Sequence, residues 1–188
     1  MQKEPRYFTV KQFNRISFRT AHAIIKLRKE RKLISKSLQK QIMLAVSEVN
    51  SCRVCSYVHT QALLKEGATK EELDALFSDN FRNLDEKEAH ALLFAEHYAD
   101  TLGNYDGETL TELRRYYSAQ EVAGIIGTIQ IIMFGNANGI NLTNFVNRFR
   151  LKRNKNSKLG TELYNGFFAY LLLPFFLLIN IFVRKRVI

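Results

Sequence analysis

The chain has 188 residues, 46% of them hydrophobic, two cysteines and a formal net charge of +10. That is enough to bury a real core in one catalytic-sized domain without disulfide staples, and it excludes a cysteine-dense secreted scaffold. The charge is concentrated at the ends: residues 1–33 carry ten Lys/Arg against Glu4 and Glu30, residues 148–188 carry nine against Glu162, and the middle is net acidic. No nucleic-acid-binding motif accompanies these basic ends, so nucleic acid is not expected as a partner.

In chain order, Met1 to Lys11 is polar and lacks the apolar region of a signal peptide. A first amphipathic helix is expected from about Val10 to Lys32, with Phe13, Ile16, Phe18, Ala21, Ile24, Ile25 and Leu27 as candidate buried positions. A second covers about Ser37 to Val49, and a cysteine-bearing helix continues to about Glu66, where Gly67 stops it. Thr69-x-x-Glu72 is a capping box for a short helix to Phe77. Asp85-x-x-Glu88 opens another to Leu102. Ser118-x-x-Glu121 opens a third, whose run Val122–Phe134 is apolar nearly all round and reads as a central core helix. Gly135-Asn136-Ala137-Asn138-Gly139 closes that helix as left-handed stops; it does not follow a strand, as a phosphate loop would. No alternating strand pattern is evident, and the fold class expected is all-α.

From Gly166 to Val183 the chain runs eighteen residues without a charge, between Arg148–Lys155 and Arg184-Lys185-Arg186. That length reaches the lower limit for a membrane span, although Pro174 and Asn180 leave polar groups that would need partners in lipid. The expectation is a hydrophobic C-terminal segment with membrane contact through 166–183, its basic flanks keeping the rest of the chain on the cytoplasmic side. The competing reading is a buried or interface helix.

The chemistry concentrates in Ser47-Glu48-Val49-Asn50-Ser51-Cys52-Arg53-Val54-Cys55-Ser56-Tyr57-Val58-His59, which holds both cysteines and one of four histidines. On a continuous helix, Glu48, Cys52, Cys55 and His59 share one face. If the helix instead breaks at Asn50-Ser51, the cysteines fall in the first turn of a new helix, whose free N–H groups and positive dipole end favour a thiolate. Either way the expected chemistry is thiol–disulfide work. Structural zinc is disfavoured: the other ligand candidates are His22, His90 and His97, none paired at ligand spacing, and these read as ordinary polar histidines. No metal or cofactor is expected. Cys55, with His59 one turn on to share its proton, is expected to attack and Cys52 to resolve; thioredoxin-like logic reverses them.

Glu48 to His59, after the amphipathic run Leu38–Val46, resembles the core of the carboxymuconolactone decarboxylase-like superfamily, in its AhpD-like alkyl hydroperoxidase branch, marked by C-x-x-C-x-x-x-H. The likeness covers roughly residues 10–145. It implies an all-α AhpD-like helical bundle, assembly into trimers or larger rings, and a cysteine pair that reduces peroxides or passes electrons to a peroxidase. Two positions depart from the founding hydroperoxidase: Lys40 stands where it has a glutamate, and Val54 where it has a histidine, so Glu48 becomes the substitute proton carrier. The decarboxylase branch lacks the cysteine pair, so lactone decarboxylation is not carried over. The organisation expected is a redox domain over 1–147, a basic linker over 148–165 and the hydrophobic segment over 166–188. The function expected is a thiol-dependent peroxidase or disulfide reductase with Cys52, Cys55, His59 and Glu48 as catalytic residues. Its partners would be a hydroperoxide or disulfide substrate, a thiol electron donor and further copies of the chain. The alternative is a non-enzymatic membrane-associated redox sensor or adaptor on the same scaffold.

Overall fold

A computed structural model describes residues 4–78, 81, 84–151 and 156–182. The calls on Val183, Arg184, Lys185 and Arg186, and on Lys152, Arg153 and Lys155 of the basic block, lie outside the described residues. Among the described residues the protein is all-α, with ten α-helices and one π-helical turn. They are α1 (Val10–Lys26), α2 (Arg28–Arg31), α3 (Lys36–Val49), α4 (Arg53–Lys65), α5 (Lys70–Phe77), α6 (Glu86–Asp100), α7 (Gly107–Tyr116), α8 (Ala119–Phe149), α9 (Leu159–Leu163) and α10 (Ala169–Phe182). The π-helical turn Tyr164–Phe168 joins α9 to α10.

The starts of these helices are written in their caps. Thr9, Thr69 and Ser118 each close a reciprocal capping box with Gln12, Glu72 and Glu121, and Ser35, Asp85 and Asp106 each accept from backbone N–H groups of the first turn. Each such cap stabilises by about 1 kcal/mol. The helix expected over Val10–Lys32 divides at Leu27, which is buried at the junction of α1 and α2. Of its candidate core positions Phe13, Ile16, Ala21 and Leu27 are buried, whereas Phe18 and Ile24 stay exposed and Ile25 is half-buried. The helix α7 was not anticipated: its charged sequence opens on glycine.

α8 is the axle of the bundle, packed against α1, α2, α3, α4, α6, α7 and α9. Val122, Ile125, Ile126 and Ile129 are fully buried on it. It runs 31 residues, so the expected stop at Gly135–Gly139 is corrected: the helix passes through both glycines. Asn136, Asn138 and Asn141 do not end it because each side-chain amide has a bonding partner, the carbonyls of Val46, Asn165 and Ala137. By length and composition α8 could cross a membrane, but most of its surface is buried in the bundle.

The stretch read as a linker includes the last turn of α8 and all of α9, and it is tied to the bundle. Buried Glu162 pairs with Arg148 and accepts from the Ser157 hydroxyl; Tyr7 and Thr161 share a hydroxyl bond. Asn165 Nδ2 donates to the Phe8 carbonyl at 3.0 Å. Beyond it α10 packs along α1, with the rings of Phe18 and Phe176 edge to face at 6.2 Å.

Candidate active site

The helix breaks between Glu48 and Cys52, so the single continuous face is corrected in favour of the interrupted geometry. α3 ends in a Schellman turn: Ser51 takes the left-handed conformation (φ 54°), its N–H donates to the Glu48 carbonyl at 3.0 Å, and the Cys52 N–H donates to the Ser47 carbonyl at 2.9 Å. Asn50 and Ser51 thereby finish α3 rather than capping α4. Cys52 itself occupies the N-cap of α4 and Cys55 the third residue of its first turn.

The cysteines are joined as a disulfide with Cα atoms 5.3 Å apart. Cys52 is buried, Cys55 half-buried. The turn that carries them is clamped to α8. The Ser47 hydroxyl lies 2.7 Å from the Met43 carbonyl and 3.0 Å from Asn136 Oδ1, Asn136 Nδ2 donates to the Val46 carbonyl at 3.2 Å, and Asn50 Nδ2 donates to the Met133 sulfur at 3.2 Å. Beneath the sulfurs lies Gly139, at which a Cβ would sit 3.3 Å from Cys52 Sγ and 3.4 Å from Cys55 Sγ. Asn136 and Gly139, which in sequence read as part of a helix stop, therefore adjoin the cysteine-bearing turn.

A cleft of about 210 Å³ opens on the Cys52 side. Ser51, Cys52, Arg53 and Val54 form one wall, Ile140, Thr143 and Asn147 of α8 the other, and Pro5 of the N-terminal segment closes an end. The segment is held there by the Arg6 N–H, which donates to the Asn50 carbonyl at 3.1 Å. Val54, one of the two departures from the founding hydroperoxidase, thus faces the cleft. Lys40, the other, pairs with Glu66 at the far end of α4.

His59 lies four residues after Cys55 on α4, half-buried, and burial pushes its ionisation below the ordinary histidine value. Glu48 is half-buried in the last turn of α3; among the described residues it makes no hydrogen bond or ion pair to Cys52, Cys55 or His59. The other histidines stand apart: His90 stacks on Tyr116 at 4.0 Å, and His97 Nε2 is 3.5 Å from Asp106 Oδ2. Among the described residues no three His, Cys, Asp or Glu side chains group as a metal site.

Residues 13–97 match the sequence model of the carboxymuconolactone decarboxylase family, a span from α1 through most of α6 that includes both cysteines and His59. The Cys52–Cys55 pair lies within that span and is consistent with the AhpD-like branch of the family. No curated protein matches the chain.

Proposed function

We propose that the protein is a thiol-dependent oxidoreductase of the AhpD-like type, reducing a hydroperoxide or a disulfide with the Cys52/Cys55 pair. The observation that carries this reading is the placement of the disulfide: at the N-terminal end of α4, over Gly139, with a cleft against Cys52 and an imidazole one turn beyond Cys55.

In the reduced protein His59, kept neutral by its burial, takes the Cys55 thiol proton. The Cys55 thiolate attacks the terminal peroxide oxygen: an S–O bond forms, the O–O bond breaks, and the departing alkoxide takes the proton from His59 to leave as alcohol. The Cys55 sulfenic acid then condenses with the Cys52 thiol, whose proton leaves with the sulfenic hydroxyl as water as the disulfide forms, so two thiols supply the two electrons that reduce one peroxide. Reduction runs through the cleft. A donor dithiol attacks Cys52 Sγ, Cys55 leaves as thiolate, and the donor's second thiol displaces Cys52 to close its own disulfide. Glu48 is proposed as a second proton carrier near the start of α4, a role supported by its half-buried place in the last turn of α3 and by the lack of an ion pair among the described residues. Assembly into trimers or larger rings is proposed from the family likeness.

The test is rapid-mixing oxidation of the reduced protein with hydrogen peroxide and with an alkyl hydroperoxide, coupled to thiol counting and mass spectrometry. Loss of two thiols per peroxide with an intramolecular Cys52–Cys55 bridge, followed by turnover on an added dithiol, is expected. Retention of both thiols, or bridges only between chains, overturns the mechanism; a bridge that forms once without turnover favours the sensor.

A further inference from the structure

We propose that the outward face of α10 and the adjoining basic flank of α1 form one docking surface for an anionic lipid bilayer, with α10 lying in the plane of the membrane rather than crossing it. Leu171, Phe175, Leu178 and Phe182 are 73%, 57%, 57% and 85% exposed. Their spacing of four, three and four places them in one stripe along the helix. A contiguous apolar stripe of this kind on a folded surface marks a contact with a partner or a membrane.

The opposite face of α10 rules out a lipid-surrounded span. Asn180 is fully buried, and its Nδ2 donates to the Phe176 carbonyl at 2.9 Å and to the Phe18 carbonyl of α1 at 3.4 Å. Lys26 Nζ donates to the Ile181 carbonyl at 3.1 Å. A helix fastened along one side to a charged amphipathic helix offers lipid only its other side.

Charge selects the occupant. α10 packs along α1, and the two helices belong one to each of the strongly basic ends of the sequence. Of the three side-chain carboxylates in those ends, Glu30 and Glu162 are buried, which leaves Glu4 exposed. Lys11 and Arg15 are exposed and lie on the flank of α1 shared with Phe18, which touches α10. An apolar stripe beside lysines and arginines matches the acyl and phosphate layers of an anionic leaflet. Two copies meeting through this face would instead stack like charges.

The full-length protein is mixed with phosphatidylcholine vesicles and with vesicles containing one quarter phosphatidylglycerol, and sedimented. Binding to the anionic vesicles is expected to be at least tenfold tighter. Phe175→Asp with Leu178→Asp should abolish it. Lys11→Gln and Arg15→Gln, both on exposed positions, should each weaken it about fivefold, as expected for one basic residue near an anionic surface; thermal melts verify that every variant remains folded. Alkaline carbonate should release the bound protein. Retention after carbonate overturns the in-plane geometry. Equal binding by wild type and variants, or no binding by wild type, overturns the docking surface, and so does a wild-type dimer that the Asp variants dissociate without any vesicle binding.

Discussion

Gly139 lies against Cys52 so closely that a Cβ on it would stand 3.3 Å from Sγ, tighter than ordinary side-chain contact, and 3.4 Å from the Cys55 sulfur. Two unbonded thiols occupy more room than a bonded pair, so a methyl group at this position weighs more on the dithiol than on the disulfide. Gly139→Ala should therefore make the pair harder to reduce, on the order of 30 mV, equivalent to about 1.4 kcal/mol for two electrons. The gain in helix propensity from alanine, about 1 kcal/mol, applies to both redox states and cancels. Redox titration against a glutathione buffer, with thiols trapped and weighed, measures the shift. An unchanged potential would mean that the thiols part away from α8.

His59 gives a pH signature. Burial pushes its ionisation below the ordinary value, so the unfolded chain binds a proton more readily than the folded one. Its contribution to stability is complete above the unfolded value of about 6.5 and declines as pH falls below it toward the lower folded value. His59→Gln should flatten that decline in urea midpoints compared at pH 7.5 and 5. The same substitution should slow peroxide oxidation by a factor on the order of 10²–10⁴, because it removes the base rather than a core side chain. A rate equal to wild type would take His59 out of the proton path.

Helix starts were legible because a cap is local: Thr69 with Glu72 and Ser118 with Glu121 sit three residues apart and need no tertiary partner. The helix ends expected at about Val49, Glu66, Phe77 and Leu102 fall within two residues of the ends of α3, α4, α5 and α6, although glycine does not mark them all. α3, α4 and α6 all close with the same Schellman turn, but the left-handed residue is Gly67 only in α4; it is Ser51 in α3 and Leu102 in α6. α8 differs: its Gly139 and asparagines resemble stops in isolation. The partners that keep the helix running, such as the Val46 carbonyl 90 residues away from Asn136, are invisible until the chain is folded. The closeness of the two cysteines was readable because a three-residue spacing is local to one turn of chain. The cleft was not: its walls come from three separate segments.

Asn165 joins the C-terminal segment to the first residues of the bundle, and its removal should be felt throughout. Its Nδ2 donates to the buried Phe8 carbonyl at 3.0 Å, and its own carbonyl accepts from Asn138 Nδ2 of α8 at 3.0 Å. Asn165→Ala strips the donor from Phe8 and leaves a buried polar group unsatisfied, a cost of about 1–3 kcal/mol. Tyr170→Phe removes one hydroxyl bond, to Asn138 Oδ1 at 2.8 Å, from a ring that is 53% exposed; it should cost about 1 kcal/mol or less. A chain ending at Leu159 loses both contacts together with the Glu162 carboxylate that pairs with Arg148, so it should unfold at markedly lower urea than either substitution. Urea titrations followed by circular dichroism rank the three, with the truncated chain lowest and Asn165→Ala below Tyr170→Phe. A truncated chain with the wild-type midpoint would mean that the segment from α9 onward rests on the bundle without stabilising it, and that the matched family domain folds independently of it.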